Sequence, residues 1–130
     1  MTDRQSVPNP TPAELEILRV LWRYPGSTVR ELHERLDTGR NTGYTTVLKL
    51  LQIMTEKRLV VRDEAERTHV YEAAHTQDQT QRQLVTDLLD RVFDGSAAQL
   101  VLQALATNKT SPEELDEIRK LLAIKSGGSR

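Results

Sequence analysis

The stretch Asn41-Thr42-Gly43-Tyr44-Thr45-Thr46 opens the segment that decides the fold prediction. Asn41 or Thr42 can cap a helix, and the apolar spacing that follows predicts that this helix reaches about Lys57. Small and hydroxyl-bearing residues fill its first turn, and no acidic residue lies there. The elements on either side are therefore interpreted by how they would hold this helix in place.

The two faces of this third helix differ in chemistry. Successive residues turn by about 100°, so Val47 lies at the centre of an inward face. Within about 60° of it lie Leu50, Leu51, Met54 and Arg58. The opposite face carries Thr42, Thr45, Lys49, Gln52 and Glu56. Hydroxyl, amide and ammonium groups can bind base edges or phosphates, although any exposed helix face is polar. Tyr44 lies at the edge, where phosphate contact and ordinary packing are equally reasonable.

Two shorter helices are predicted before it. Thr11-Pro12-Ala13-Glu14 and Thr28-Val29-Arg30-Glu31 both have a hydroxyl residue followed three positions later by Glu, the pattern of a capping box. The first helix would bury Leu15, Leu18, Leu21 and Trp22, and the second Val29, Leu32 and Leu36.

A hairpin is predicted after the third helix. Leu59-Val60-Val61-Arg62 and Thr68-His69-Val70-Tyr71 are β-rich runs, and the polar stretch 63–66 between them is typical of a turn. Three helices followed by a hairpin form a winged helix-turn-helix domain. The fold class is thus mainly α with a small β-hairpin.

The rest of the chain predicts three amphipathic helices, starting near Thr76, Ser96 and Ser111. About fifty residues in short helices bury too little surface to fold alone, so a second copy of the chain is the simplest partner. We expect a flexible arm over 1–10, the winged-helix domain over 11–75, a dimerisation domain over 76–125 and a flexible tail over 126–130. The expected dimerisation residues are Leu84, Leu88, Val92, Leu100, Val101, Leu105, Leu115, Ile118 and Leu122.

Composition narrows the function classes. The chain has no cysteine, which excludes disulfides, thiolate metal sites and a cysteine nucleophile. It has neither a signal-peptide pattern nor a run long enough to span a membrane, so a cytoplasmic protein is expected. No phosphate-binding loop or nucleophile motif appears, and three histidines are too few to predict a metal site. We therefore expect neither an enzyme nor a cofactor. Net charge is −1, but residues 40–62 carry five basic side chains and one acidic.

The chain resembles the penicillinase-repressor family, which includes the methicillin-resistance and copper-transport repressors. The resemblance spans roughly residues 11–122 and is strongest in two blocks. These are Gly43-Tyr44-Thr45-Thr46-Val47 and Arg67-Thr68-His69-Val70-Tyr71. It implies a winged-helix DNA-binding domain, a helical dimerisation domain and repression at dyad-symmetric operators. By the same resemblance, Tyr44, Thr45, Thr46 and Lys49 match the recognition helix, and Arg67 matches the wing arginine.

Several positions depart from the family pattern. Arg58 occupies a place where the family commonly has Gly, and a left-handed residue there would cost about 1 kcal/mol unless the helix ends differently. The wing carries the acids Asp63, Glu64 and Glu66. Gln103-Ala104 replaces the Asn-Phe pair at which a membrane sensor triggers cleavage in antibiotic-responsive members. The cysteine cluster of copper-responsive members is missing.

The prediction is a transcriptional repressor that binds operator DNA as a homodimer, with a membrane sensor protease as a possible further partner. The alternative is a winged-helix protein-interaction module that never binds DNA, which the near-zero net charge keeps open. Salt dependence of DNA affinity distinguishes the two. The expected DNA-binding residues are Thr42, Tyr44, Thr45, Thr46, Lys49, Gln52 and Arg67.

Overall fold

The computed structural model describes residues 7–36, 42–107 and 109–128, and over these ranges three helices precede a hairpin and three more follow it. This order confirms the predicted winged-helix fold. The elements are α1 (Pro12–Arg23), α2 (Val29–Arg35), α3 (Tyr44–Glu56), β1 (Val60–Asp63), β2 (Val70–Ala73), α4 (Gln77–Val92), α5 (Ala97–Thr107) and α6 (Pro112–Gly128). None of the described helices is long and apolar enough to cross a membrane.

The chain divides into two compact units, Met1–Asp87 and Leu88–Arg130, so the division falls within α4. The first unit holds an aliphatic core between α1, α2, α3 and the hairpin. Its buried members are Ile17, Leu18, Leu21, Val29, Leu32, Val47, Leu51, Met54, Leu59, Val60 and Tyr71. The buried stripe of α1 differs from the predicted one, because Leu15 and Trp22 are only half-buried while Glu14 and Ile17 are buried. The Trp22 indole donates a 2.9 Å hydrogen bond to the His75 carbonyl.

A buried carboxylate joins the start of α1 to the end of α3. Glu14 is only 2% exposed. Its side chain accepts from the Thr11 N–H at 2.9 Å, and Lys57 Nζ donates to its two oxygens at 2.8 and 3.0 Å. Burial acts to raise the pKa of Glu14, but the Lys57 and Thr11 hydrogen bonds outweigh it and hold that pKa below its ordinary value.

Helix α3 begins later than its cap prediction. Its N-cap is Gly43, which supplies no side-chain hydrogen bond, so the expectation for Thr42 is wrong. Asn41, the other candidate, lies outside the described residues. The Thr42 carbonyl instead accepts from His33 Nε2 at 2.9 Å, which holds the residue before the cap against α2.

The end of α3 is left-handed at Arg58, with φ of 66°. The Arg58 N–H donates to the Thr55 carbonyl and the Leu59 N–H to the Met54 carbonyl, at 3.1 and 2.8 Å. This is the Schellman arrangement, in which the left-handed position normally holds Gly. Arg58 is exposed and lies beyond the helix, so its predicted place beside the inward face is wrong.

Strands β1 and β2 pair antiparallel, with Val60 opposite Ala73 and Asp63 opposite Val70. The hairpin is confirmed, although Thr68 and His69 precede the second strand rather than begin it. The Tyr71 N–H donates to the Ser27 carbonyl at 2.8 Å, and the Ser27 N–H donates back at 3.1 Å. This bridge fixes the hairpin to the segment that connects α1 and α2.

In the second unit, none of the residues whose side chains are described is buried. The exposed large apolar residues there include Val92, Val101, Leu102, Leu121, Leu122 and Ile124. The cap signals at Ser96 and Ser111 are confirmed, since each hydroxyl accepts from the N–H three residues later. Helix α6 continues to Gly128, three residues past the predicted limit, because no proline stops it there.

Replacing Arg58 with glycine should stabilise the protein by about 1 kcal/mol, because glycine adopts the left-handed conformation without the Cβ penalty. Urea unfolding of R58G against the natural chain measures this difference. Arg58→Ala is the matched control, since it removes the guanidinium but keeps Cβ. An equal gain in R58A would show that charge, not backbone strain, is responsible.

Replacing Glu14 with glutamine should destabilise the protein by about 2 kcal/mol at neutral pH, through loss of charged hydrogen bonds. The pKa of Glu14 is lowered in the folded state, so the ionised side chain contributes its full stabilisation above the ordinary pKa of 4.5. This stabilisation is lost as the pH falls through the lower folded pKa. Urea unfolding across this range should show the two proteins converging at acid pH. Glu34→Gln, an exposed change on α2, should show neither effect, and parallel curves for E14Q would contradict the assignment.

Candidate nucleic-acid interface

A cleft of about 590 Å³ lies between the start of α2, the start of α3 and the hairpin. Two basic side chains line it, Arg30 from α2 and Arg67 from the hairpin loop, with His69 beside them. Its hydroxyl groups come from Thr28, Tyr44, Thr68 and Tyr71. Of the described residues that line the cleft, none is acidic, so the cleft suits an anion such as a backbone phosphate.

The outward face of α3 adjoins this cleft. Thr45, Lys49 and Gln52 are exposed and follow each other at one-turn spacing. Tyr44 and Leu48 lie on the cleft side. Thr42 and Thr46 lie on the opposite side, against α1, where they line a smaller cavity of about 80 Å³. The predicted site residues therefore form a central row, with Tyr44 toward the hairpin and two threonines toward α1.

Tyr44 is 48% exposed, so it projects from the core rather than packing into it. The His33 ring meets it edge-on, with centroids 6.0 Å apart and planes at 78°. The same His33 binds the Thr42 carbonyl, so one side chain of α2 fixes both sides of the α3 N-cap. This contact orients the first turn of α3 relative to the cleft.

The start of α3 differs electrostatically from the starts of α1 and α2. Those helices have complete capping boxes, in which Thr11 with Glu14 and Thr28 with Glu31 satisfy backbone N–H groups. Helix α3 has no side-chain cap hydrogen bond and no acid in its first turn. Its first N–H groups and its positive dipole end therefore remain suited to an external anion.

Hydrogen bonds within the hairpin hold two of the acids of the wing, and one of these acids is paired with a cation. Glu64 accepts a 2.6 Å hydrogen bond from Arg62, and Asp63 accepts from the Ala65 N–H at 2.9 Å. Hydrogen bonds to Tyr71 and then to Glu64 raise the pKa of Arg62. Two of the three wing acids are thus engaged within the hairpin, while Arg67 lines the cleft.

Five polar residues of the cleft were not among the predicted site residues: Thr28, Arg30, Thr68, His69 and Tyr71. The sequence contains one indication that Arg30 is functional. A cation in the first turn of a helix opposes the helix dipole, so its presence there favours a role other than helix stability. Thr68 and His69 carried no comparable signal, because their place in the cleft depends on how the hairpin packs. Among the described residues, no group of three or more potential metal ligands comes together.

Comparison with known proteins places the chain among repressors. The family model described as penicillinase repressor matches residues 10–124. Transcriptional regulator BlaI of Mycobacterium tuberculosis is 32% identical over 116 residues, covering 88% of this chain and 83% of that protein. The penicillinase repressor of Bacillus licheniformis is 22% identical, covering 91% of this chain and 92% of that protein. A solved structure of a Lactococcus lactis ZitR mutant aligns with a TM-score of 0.45 and 20% identity, covering 100% of this chain and 80% of that one. The family and these curated relatives are transcriptional regulators, not enzymes.

Proposed function

Because the chain belongs to the penicillinase repressor family, we propose that it is a cytoplasmic repressor that binds operator DNA as a homodimer. Helix α3 enters the major groove, and the cleft beside it holds a backbone phosphate. The observation that carries the proposal is the arrangement of Arg30 and Arg67 around a cleft that adjoins the exposed row of Thr45, Lys49 and Gln52.

The proposed contacts divide into two kinds. Arg30, Arg67, Tyr44 and the uncapped N–H groups of α3 bind phosphate and set the register on the duplex. Thr45, Lys49 and Gln52 meet base edges, where threonine methyls contact thymine, lysine contacts guanine and glutamine pairs with adenine. Thr42 and Thr46 lie nearer α1 and contact DNA at the edge of the interface. Sequence preference is therefore expected to depend on three side chains per subunit.

The second unit is proposed to form the dimer. Many of its apolar side chains are exposed or half-buried in the single chain, and a second copy related by twofold symmetry would cover them. The proposed contact residues are Leu84, which precedes this unit on α4, and Leu88, Val92, Leu100, Val101, Leu105, Leu115, Ile118 and Leu122. Two α3 helices would then read half-sites about one helical turn, or a multiple of it, apart. A membrane sensor protease has no support in the comparisons and is not part of the proposal.

The function is tested by fluorescence anisotropy with DNA from upstream of the chain's own gene, over a range of salt concentrations. Specific binding with a steep loss of affinity as salt rises is expected, because phosphate contacts release counterions. Absence of binding at micromolar protein, together with a specific protein partner, would instead support the protein-interaction alternative.

Arg30→Gln should weaken binding to all DNA sequences alike and lower the salt slope by about 1, since it removes one phosphate contact. Thr45→Ala should instead change the preferred base at one position in each half-site, by about 1–3 kcal/mol of discrimination. Anisotropy with a set of single-base operator variants separates the two effects. Arg82→Gln, an exposed change on α4, is the control. If T45A keeps the natural preference, the assignment of the base-reading face is wrong.

Leu122→Asp should shift the protein from dimer to monomer, because it places a charge on a surface that the partner covers. The side chain is 61% exposed in the single chain, so folding of the subunit should survive. Sedimentation equilibrium should show a dimer dissociation constant at least about thirtyfold higher. Lys120→Asp, on the other face of α6, should leave the dimer unchanged. An unchanged dimer in L122D would contradict the proposed surface.

A further inference from the structure

A second cavity of the first unit is rich in arginine. It has a volume of about 490 Å³ and lies between α1 and the end of α2. Three arginines line it, Arg19 and Arg23 from α1 and Arg35 from α2, together with Tyr24, Val20 and Leu36. Among the described residues of the lining, Glu16 is the one acid, so their formal charges sum to +2.

Arg23 and Arg35 lie in the last turns of α1 and α2, where a cation stabilises the helix dipole, but this does not account for all three arginines at one cavity. Arg19 and Arg23 lie one turn apart on α1, where like charges repel and destabilise a helix. All three arginines are exposed, and none of them belongs to the buried core. A cluster of guanidinium groups around a cavity of this size is, however, an efficient receptor for an anion.

Arg35 is held in place at the cavity. Its Cζ lies 4.1 Å from the centroid of the Tyr24 ring, and its Nη1 donates to Ser27 Oγ at 3.4 Å. That hydrogen bond uses one of the five guanidinium N–H donors, so the fork retains donors for a ligand. Because the fork is planar and preorganised, it favours a carboxylate or phosphate oxygen pair.

The other residues of the lining indicate the chemistry of the rest of the ligand. Val20 and Leu36 are half-buried and pack against the core, so their outer surfaces form an apolar side to the cavity. Tyr24 is 43% exposed, and Arg35 covers one face of its ring. A cavity of about 490 Å³ falls in the range of small-molecule sites. Charge on one side and apolar surface on the other suit a small aromatic anion.

The cavity is connected to the proposed DNA interface through Ser27. Ser27 is 1% exposed, and its hydroxyl accepts from Arg35 and donates to the Tyr24 carbonyl at 2.6 Å. Its backbone forms the bridge to Tyr71, which lines the cleft beside α3. A ligand that draws Arg35 away from Ser27 therefore acts on the segment that holds the hairpin.

We propose that the Arg19–Arg23–Arg35 cavity binds a small aromatic carboxylate or phosphate, and that this ligand weakens DNA binding. The regulatory part rests on the proposed function, whereas binding of the ligand does not. Two effects act in the same direction, since the anion competes for Arg35 and also neutralises positive charge on the domain that approaches DNA.

Binding is tested by isothermal titration of the full chain with phenyl phosphate and with benzoate, which distinguish the two head groups. Saturation at one ligand per chain is expected for at least one of them, with inorganic phosphate and phenol binding at least tenfold more weakly, by about 1.4 kcal/mol. Arg35→Gln should lower the affinity about tenfold, the effect of losing one charged hydrogen bond. The double variant R19Q/R23Q provides a second test on α1, and Arg82→Gln is the control.

Equal loss of affinity in R82Q, or no saturation by either aromatic anion, overturns the site. The regulatory arm repeats the DNA titration at a ligand concentration that largely fills the natural chain but not R35Q, and ligand should lower the affinity about fivefold or more in the natural chain but less in R35Q. Unchanged affinity overturns the regulatory role. If the chain binds ligand but no DNA of any sequence, the repressor function fails while the site stands. If R19Q/R23Q weakens DNA binding without ligand as strongly as R30Q, these two arginines contact DNA and the regulatory role is wrong.

Discussion

The position of the third helix depends on one buried carboxylate. Glu14 completes the cap of α1 and at the same time binds Lys57 at the end of α3, 43 residues away. A carboxylate that is 2% exposed cannot remain charged without such partners, so the helix start and the ion pair support each other. Since Lys57 directly follows α3, this contact fixes the end of α3 that lies away from the cleft.

The opposite end of α3 is organised by different means. His33 holds the Thr42 carbonyl and meets the Tyr44 ring, but neither contact satisfies the N–H groups of the first turn. Of the first three helices, α1 and α2 therefore have side-chain caps, whereas α3 begins at Gly43 without one. A helix start with no side-chain cap and no acid suits the phosphate contact proposed for α3. Helix α3 thus lacks a side-chain cap at its start and is followed by a left-handed residue other than glycine at its end.

Local patterns predicted local structure well. The boxes at Thr11 and Thr28 formed as expected, because their partners are three residues apart and need no tertiary contact. Predictions failed where a distant residue decides the outcome. Glu14 is buried because of Lys57, which periodicity along α1 cannot reveal. The cleft could not be predicted either, because Arg30 and Arg67 meet only after Ser27 pairs with Tyr71 and docks the hairpin.

The net charge of the chain favours the proposed dimer. With a net charge of −1, the chain gains little long-range attraction to DNA. Affinity must therefore come from close contacts, and one cleft with two arginines offers few of them. A dimer would double these contacts. Once one subunit is bound, binding of the second subunit to its half-site would be intramolecular, which raises the affinity without any new kind of contact. The same twofold association would cover the apolar side chains of the second unit. It would therefore both raise the affinity for DNA and stabilise the exposed helices.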